Sequence, residues 1–260
     1  MFRPERDELL ACLRGVAAGD WARQAVPGWS VRDVAAHLLG DDYGRLARDR
    51  DGHGGPGPLE GETLPALIHR SNQEWVDACA RLSPQCLIDT LALTGEQIAA
   101  LWRDSDPDGH SLGVSWAGAE DAPLWLDCAR DFTEYWVHRQ QIRQAVGLAP
   151  DLREEFLVPV LDTFLRALPF TLRGVRRSPG TWLLVSTPVR SWDVTATGHG
   201  WSLGEPGDGV AAAVVHVDVD TLWRLCSRGI EPAQAVGRAR IEGDEGLGRA
   251  ALRMVSIIHE

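Results

Sequence analysis

The chain contains no lysine, so all 26 of its basic residues are arginine. We attribute that to coding bias and attach no mechanism to it. The five cysteines (Cys12, Cys79, Cys86, Cys128 and Cys226) are odd in number, scattered and never arranged as CxxC. This argues against a disulfide framework and for a reducing cytoplasm. No apolar run reaches the length of a membrane span. The charged opening, MFRPERDELL, lacks the apolar stretch of a signal peptide. Positive charge is also short: against 37 acidic residues the formal balance is −11, which argues against a grip on phosphate backbones. GxSxG, Walker A, GxGxxG and CxxC…CxxC patterns are missing, and no internal repeat is found. The expectation is a cytoplasmic protein with neither a membrane nor a nucleic-acid partner. Its oligomeric state is not encoded in any readable feature.

What is present suffices for a folded core. A chain of 260 residues with 44% hydrophobic content fits two domains or one large one. Leu9, Leu10, Leu13 and Val16 predict a helix over 4–18. Val26-Pro27-Gly28-Trp29-Ser30 then reads as a turn into a second helix. Ser30 is a good N-cap, Asp33 resembles the acidic half of a capping box, and Trp29 with Val34 fits a hydrophobic staple. That phase places His37 on a stripe with Val34 and Asp41. A glycine- and proline-rich loop follows over 51–58, and His53 within it is a poor preorganised ligand. Helices are predicted over 63–81, with Arg70 at the edge of the apolar set, and over 84–103, with Ser83 as N-cap and Pro84 at N1.

After a turn-rich connection over 104–122, the pattern predicts a helix over 122–146. Glu134 and His138 are four apart, so they share one face of it. A carboxylate and an imidazole so placed can reach one divalent ion, and His37 is the best candidate for a third ligand. The plainer alternative is a boundary ion pair. Asp127, Asp131, Glu134, His138 and Gln141 form a stripe at the edge of the apolar side, whereas a merely solvated stripe more often lies opposite.

Helices of this kind before residue 147 suggest an up-and-down bundle with interior-facing sites. Gly147-Leu148-Ala149-Pro150 stops the last of them and marks the expected boundary between a domain of residues 1–149 and one of 150–260. The second is predicted as α+β: a helix over 152–168, strands over 181–187, 191–197, 201–203 and 211–217, a helix over 220–227, a strand over 238–242 and a closing helix over 244–257. His199 and His216 have no partner at ligand spacing, and Arg224, Arg228 and Arg238 are possible anion contacts.

The segments VPGWSVRDVAAHLLG and DFTEYWVHRQQIRQAVG, in this order and followed by an α+β region, resemble the mycothiol-dependent maleylpyruvate isomerase family of the DinB-like metalloenzyme superfamily. The resemblance implies an N-terminal DinB-like four-helix bundle and a smaller C-terminal domain. It also implies a divalent metal, usually zinc, on His37, Glu134 and His138. Arg70 falls where the family carries a helix arginine near the substrate. One departure stands out: Gln141 occupies a position where the family often has an acid.

Two histidines and one glutamate leave coordination positions open, as catalytic zinc requires. Metal binding lowers the pKa of a bound thiol, so a thiolate exists at neutral pH. The resemblance suggests mycothiol as that thiol and an electrophilic small molecule as its target, with S-transfer or cis–trans isomerisation as the outcome. Asp131, one turn from Glu134, is a candidate to hold a ligand side chain in place or to carry a proton, against the plain alternative of a solvated acid. Rival readings are thiol-independent metal chemistry, such as hydrolysis, and a non-catalytic small-molecule binding or resistance protein.

Overall fold

The structure, a computed structural model, describes residues 1–111, 113–118, 121–204, 206–207 and 209–257. Helix α1 (Phe2–Arg14) buries Leu9, Leu10 and Leu13. It stops at Gly15, short of the predicted end, as the Gly15 and Val16 N–H groups fold back onto the carbonyls of Ala11, Cys12 and Leu13. The predicted turn is a small hairpin of β1 (Gln24–Val26) and β2 (Trp29–Ser30), with Gly28 at φ +84°, a backbone that glycine adopts without strain.

Helix α2 (Val31–Arg45) starts on a complete capping box: Ser30 Oγ accepts from Asp33 N–H, and the Asp33 carboxylate accepts from Ser30 N–H. Helix α3 (Leu64–Ala78) is capped by Thr63, and α4 (Pro84–Asp104) by Ser83 with proline in its first turn. Helices α2 and α3 meet closely at Gly40, where a Cβ would lie 2.6 Å from the Trp75 ring. The Trp75 indole N–H donates to the Ala36 carbonyl at 2.8 Å. A short hairpin of β3 (His110–Ser111) and β4 (Ala122–Pro123) precedes α5 (Leu124–Ala145).

Helices α6 (Glu154–Phe164) and α7 (Ala167–Thr171) lead into strands β5 (Trp182–Ser186), β6 (Ser191–Thr197), β7 (Gly200–Leu203) and β8 (Ala213–His216). Helices α8 (Val219–Cys226) and α9 (Pro232–Arg238), strand β9 (Arg240–Gly243) and helix α10 (Glu245–Ala251) complete the described chain. The strands form one sheet in the order β7-β6-β5-β8-β9, parallel between β5 and β8 and antiparallel elsewhere. Alternation buries Leu183 and Val185 on β5, Trp192, Val194 and Ala196 on β6, and Ala213 and Val215 on β8. The fold is therefore α+β, helical first and sheet-containing after. Short helices α7 and α9 are additions to the sequence-based picture, and the closing helix ends at Ala251, well before residue 257. Among the described residues no helix is long and apolar enough to cross a membrane.

The chain divides into two compact units. Among the described residues the first comprises Met1–Gly109 and Cys128–Phe156; the second takes the described residues of His110–Asp127 and of 157–257. The division thus falls past the expected 149/150 boundary, and the connection after α4 sits with the second unit. Local bonding explains the shift. Asp151 N–H donates to Gln140 Oε1 at 2.7 Å, the Asp151 carboxylate pairs with Arg139, and Arg153 pairs with Glu8 of α1. Residues 151–153 are thereby pinned to the helical unit.

Candidate metal centre

His37 projects from the middle of α2, and Glu134 and His138 from successive turns of α5. Each of the three offers one ligand atom, and these atoms lie within 4.8 Å of one another. Among the described residues no other group of His, Cys, Asp or Glu side chains gathers in this way. His53 lies exposed in its loop, and His216 faces Glu242 at 3.6 Å.

Each ring is held by its surroundings. The capping box sets where α2 begins, and so which way His37 faces. Trp29 packs against the His37 ring with centroids 5.0 Å apart, and its own indole N–H donates to Gln73 of α3 at 2.9 Å. The His37 and His138 rings meet edge to face at 4.8 Å. His138 Nδ1 lies 2.7 Å from Gln141 Oε1. A proton on Nδ1 donated to that carbonyl leaves Nε2, 3.5 Å from Glu134 Oε2, with its lone pair free.

Protonation states suit a cation. Burial, reinforced by the adjacent His138 and opposed by Glu134, lowers His37 to about 3, so its imidazole is neutral at physiological pH. For Glu134, burial acts upward, but His138, His37 and Arg130 outweigh it and bring the carboxyl down to about 2. A neutral His37 imidazole, an ionised Glu134 carboxylate and the His138 ring turned by Gln141 make up the donor set of an open divalent site. The residues present fit such an ion.

Asp41, which shares the His37 stripe in the sequence, adjoins the cluster in the structure. Its Oδ2 lies 3.3 Å from His37 Nε2. Burial and the neighbouring Glu134, Asp131 and Asp42 carboxylates push its pKa well above the usual range, against the pull of Arg45. The four-residue spacing from His37 was the available signal. Gln141 appeared in the sequence as a departure from a pattern; here it is the hydrogen-bond partner of a candidate ligand.

Asp131 is not a solvated acid. It is 4% exposed and accepts from Arg45 Nε at 3.1 Å and from the Trp102 indole at 2.7 Å. Arg70 is engaged by acids: Nε and Nη2 each lie 2.8 Å from the two Glu62 oxygens, and Nη1 is 3.2 Å from Glu74. Those bonds to Arg70 help lower Glu62 to about 2. Of the second unit's arginines, Arg224 is bonded to Asp220 and stacked on Trp223, while Arg228 and Arg238 are exposed.

These features define a two-unit α+β protein whose helical unit gathers a His–Glu–His cluster suited to a divalent cation. The family model for the mycothiol maleylpyruvate isomerase N-terminal domain matches residues 2–143. The chain belongs to that family. Two solved structures, of mycothiol-dependent maleylpyruvate isomerase and of a histidine-to-alanine mutant of it, share its fold. Both align with a TM-score of 0.54 over 88% of this chain and 87% of theirs, at 14% and 13% identity. No curated protein matches the chain.

Proposed function

We propose that the chain is a divalent-metal-dependent enzyme that uses a low-molecular-weight thiol, mycothiol by family, on an electrophilic small molecule. The observation that carries this is the approach of His37, Glu134 and His138 to within 4.8 Å of one another. These three residues would hold the ion, and zinc suits two imidazoles and a carboxylate. When bound, it would supply Lewis acidity that favours the thiolate form of the thiol at neutral pH.

The chain's own residues prepare that chemistry. His37 is kept neutral, Glu134 ionised, and His138 oriented by Gln141. Asp131 acts by position: bonded to Arg45 and Trp102, it ties α5 to α2 and α4 one turn before Glu134. In the isomerase form of the reaction, the thiolate sulfur adds to a conjugated double bond. The adduct rotates about the resulting single bond, and loss of the thiol restores the double bond in the other geometry. Retention of the adduct is the S-transferase form. Arg70 enters as the contact for a substrate carboxylate, which would take the place Glu62 occupies against its guanidinium.

The test is consumption or isomerisation of a panel of unsaturated and other electrophiles, with and without mycothiol, by the wild type and by Glu134→Ala. Thiol-dependent turnover lost in Glu134→Ala supports the reading. Equal turnover by both proteins overturns it, and turnover without any thiol points to hydrolytic metal chemistry.

A further inference from the structure

Helix α1 carries none of the candidate ligands, yet two of its residues are buried charges: Glu5 is 1% and Arg6 6% exposed. Adjacent residues of a helix point about 100° apart, so the two reach different neighbours. Arg6 turns to α2, where Nη1 and Nη2 grip Asp42 Oδ2 and Oδ1 at 2.9 and 2.6 Å. Glu5 turns to α5, where its carboxylate accepts from Arg139 Nε and Nη2 at 2.5 and 2.7 Å. Both are two-pronged pairs, the geometry that fixes direction as well as distance.

The partners adjoin the candidate ligands. Asp42 is five residues beyond His37 on the same helix, and Arg139 directly follows His138. Tyr135, which directly follows Glu134, donates its hydroxyl to Asp42 Oδ1 at 2.6 Å and lies under the Arg6 guanidinium at 4.7 Å. Thr94 of α4 also donates to Asp42.

A second observation points the same way. Gly95 sits inside α4, where glycine costs about 0.5–1 kcal/mol relative to alanine. A Cβ there would lie 2.6 Å from Arg6 Cγ, so the glycine opens the path by which the Arg6 side chain passes α4. Buried ion pairs add little net stability over an apolar filling but hold one geometry.

We propose that Glu5 and Arg6 are positioning residues that set the separation of α2 and α5, Arg6 through Asp42 and Glu5 through Arg139, and so bring His37 within reach of Glu134 and His138. The inference rests on the metal reading of the site.

The test uses the full chain, stripped of metal, with cobalt(II) as a probe whose visible spectrum reports coordination geometry. Glu5→Gln weakens the hold on Arg139, and Gly95→Ala displaces Arg6 without removing any charge. With folding checked by circular dichroism, each variant is expected to bind cobalt at least about tenfold more weakly than wild type and to show shifted d–d bands. If Glu5→Gln does not fold, Gly95→Ala carries the test. Folded variants with wild-type affinity and spectrum, differing only in melting temperature, overturn the positioning role and leave the metal centre intact. A wild type that binds no cobalt overturns the metal centre itself.

Discussion

His138 and Gln141 face each other across one helical turn, with Nδ1 of the imidazole 2.7 Å from the amide oxygen. A glutamine there is a neutral acceptor, able to orient the ring without adding charge. Gln141→Leu removes the acceptor and is expected to weaken metal binding about 10–100-fold, the usual effect of losing such a partner. Gln141→Glu keeps an acceptor, makes the ring more basic, and should bind at least as tightly as wild type. Competition titration against a chromophoric chelator ranks the three proteins.

Removing a ligand is expected to empty the site. Purified wild type should carry close to one divalent ion per chain by elemental analysis, and His37→Ala and Glu134→Ala little. Because an ion bound only by the folded state stabilises it, a chelator should lower the wild-type melting temperature and leave both variants unmoved. Equal metal content in all three would dismiss these residues as ligands.

At the candidate site, acid stability turns on two adjacent groups that act in opposite senses. His37 takes up its proton near pH 3 when folded and near 6.5 when unfolded. Within that window the unfolded chain binds more protons, so metal-free protein loses stability as pH falls, by up to about 1.4 kcal/mol per pH unit. Asp41 acts in the other sense, since burial and its acidic neighbours make the folded state hold a proton that the unfolded chain releases. Asp41→Asn removes that compensation and leaves buried Glu5, whose carboxyl burial also pushes up, to oppose His37 equally in every variant compared. Glu134 contributes only below its ordinary value of 4.5. Urea midpoints of metal-free Asp41→Asn should therefore fall from pH 6.5 to 4.5, whereas those of Asp41→Asn/His37→Asn should be flatter. The same slope in both would remove His37 from the account.

Gly40→Ala drives a methyl group to 2.6 Å from a Trp75 ring that is held in place by its bond to the Ala36 carbonyl. Overpacking of this kind costs about 1–3 kcal/mol. Thermal unfolding should show a clear drop in the midpoint, because the gain in helix propensity is smaller than the clash.

Arg228 ends α8 in the left-handed region at φ +56°, and the following Gly229 N–H returns to the Arg224 carbonyl at 2.7 Å. This is the position where helices favour glycine. Arg228→Gly is expected to stabilise the protein by about 0.5–1 kcal/mol, read as a raised urea midpoint. A lowered midpoint would show that the arginine side chain contributes more than its backbone strain removes.

The parts of this protein legible in its sequence are those written within a few residues of one another. Ser30 with Asp33 marked the start of α2, and the four-residue spacing of Glu134 and His138 marked a shared face. Alternation picked out β5, β6 and β8, and Gly147-Leu148-Ala149-Pro150 marked the end of α5. The short helices α7 and α9 were missed because five and seven residues are too few to display a period. The early end of α10 shows the reverse error, an apolar pattern running past the helix.

Other features belong to pairs far apart in the chain. Asp131 is a buried acid only because Arg45 and Trp102 come to it, and Arg70 is occupied only because Glu62 is folded against it. Arg139 joins Glu5, 134 positions away, to Asp151, so residues 151–153 stay with the helical unit. Local sequence determined the helices, their caps and the faces that carry His37, Glu134 and His138, since hydrogen bonding within a turn depends on near neighbours alone. Only tertiary structure decided which buried charges pair and how far α2 stands from α5. A charge buried among helices is tolerated only where a distant segment supplies its counterpart, and no local pattern records that.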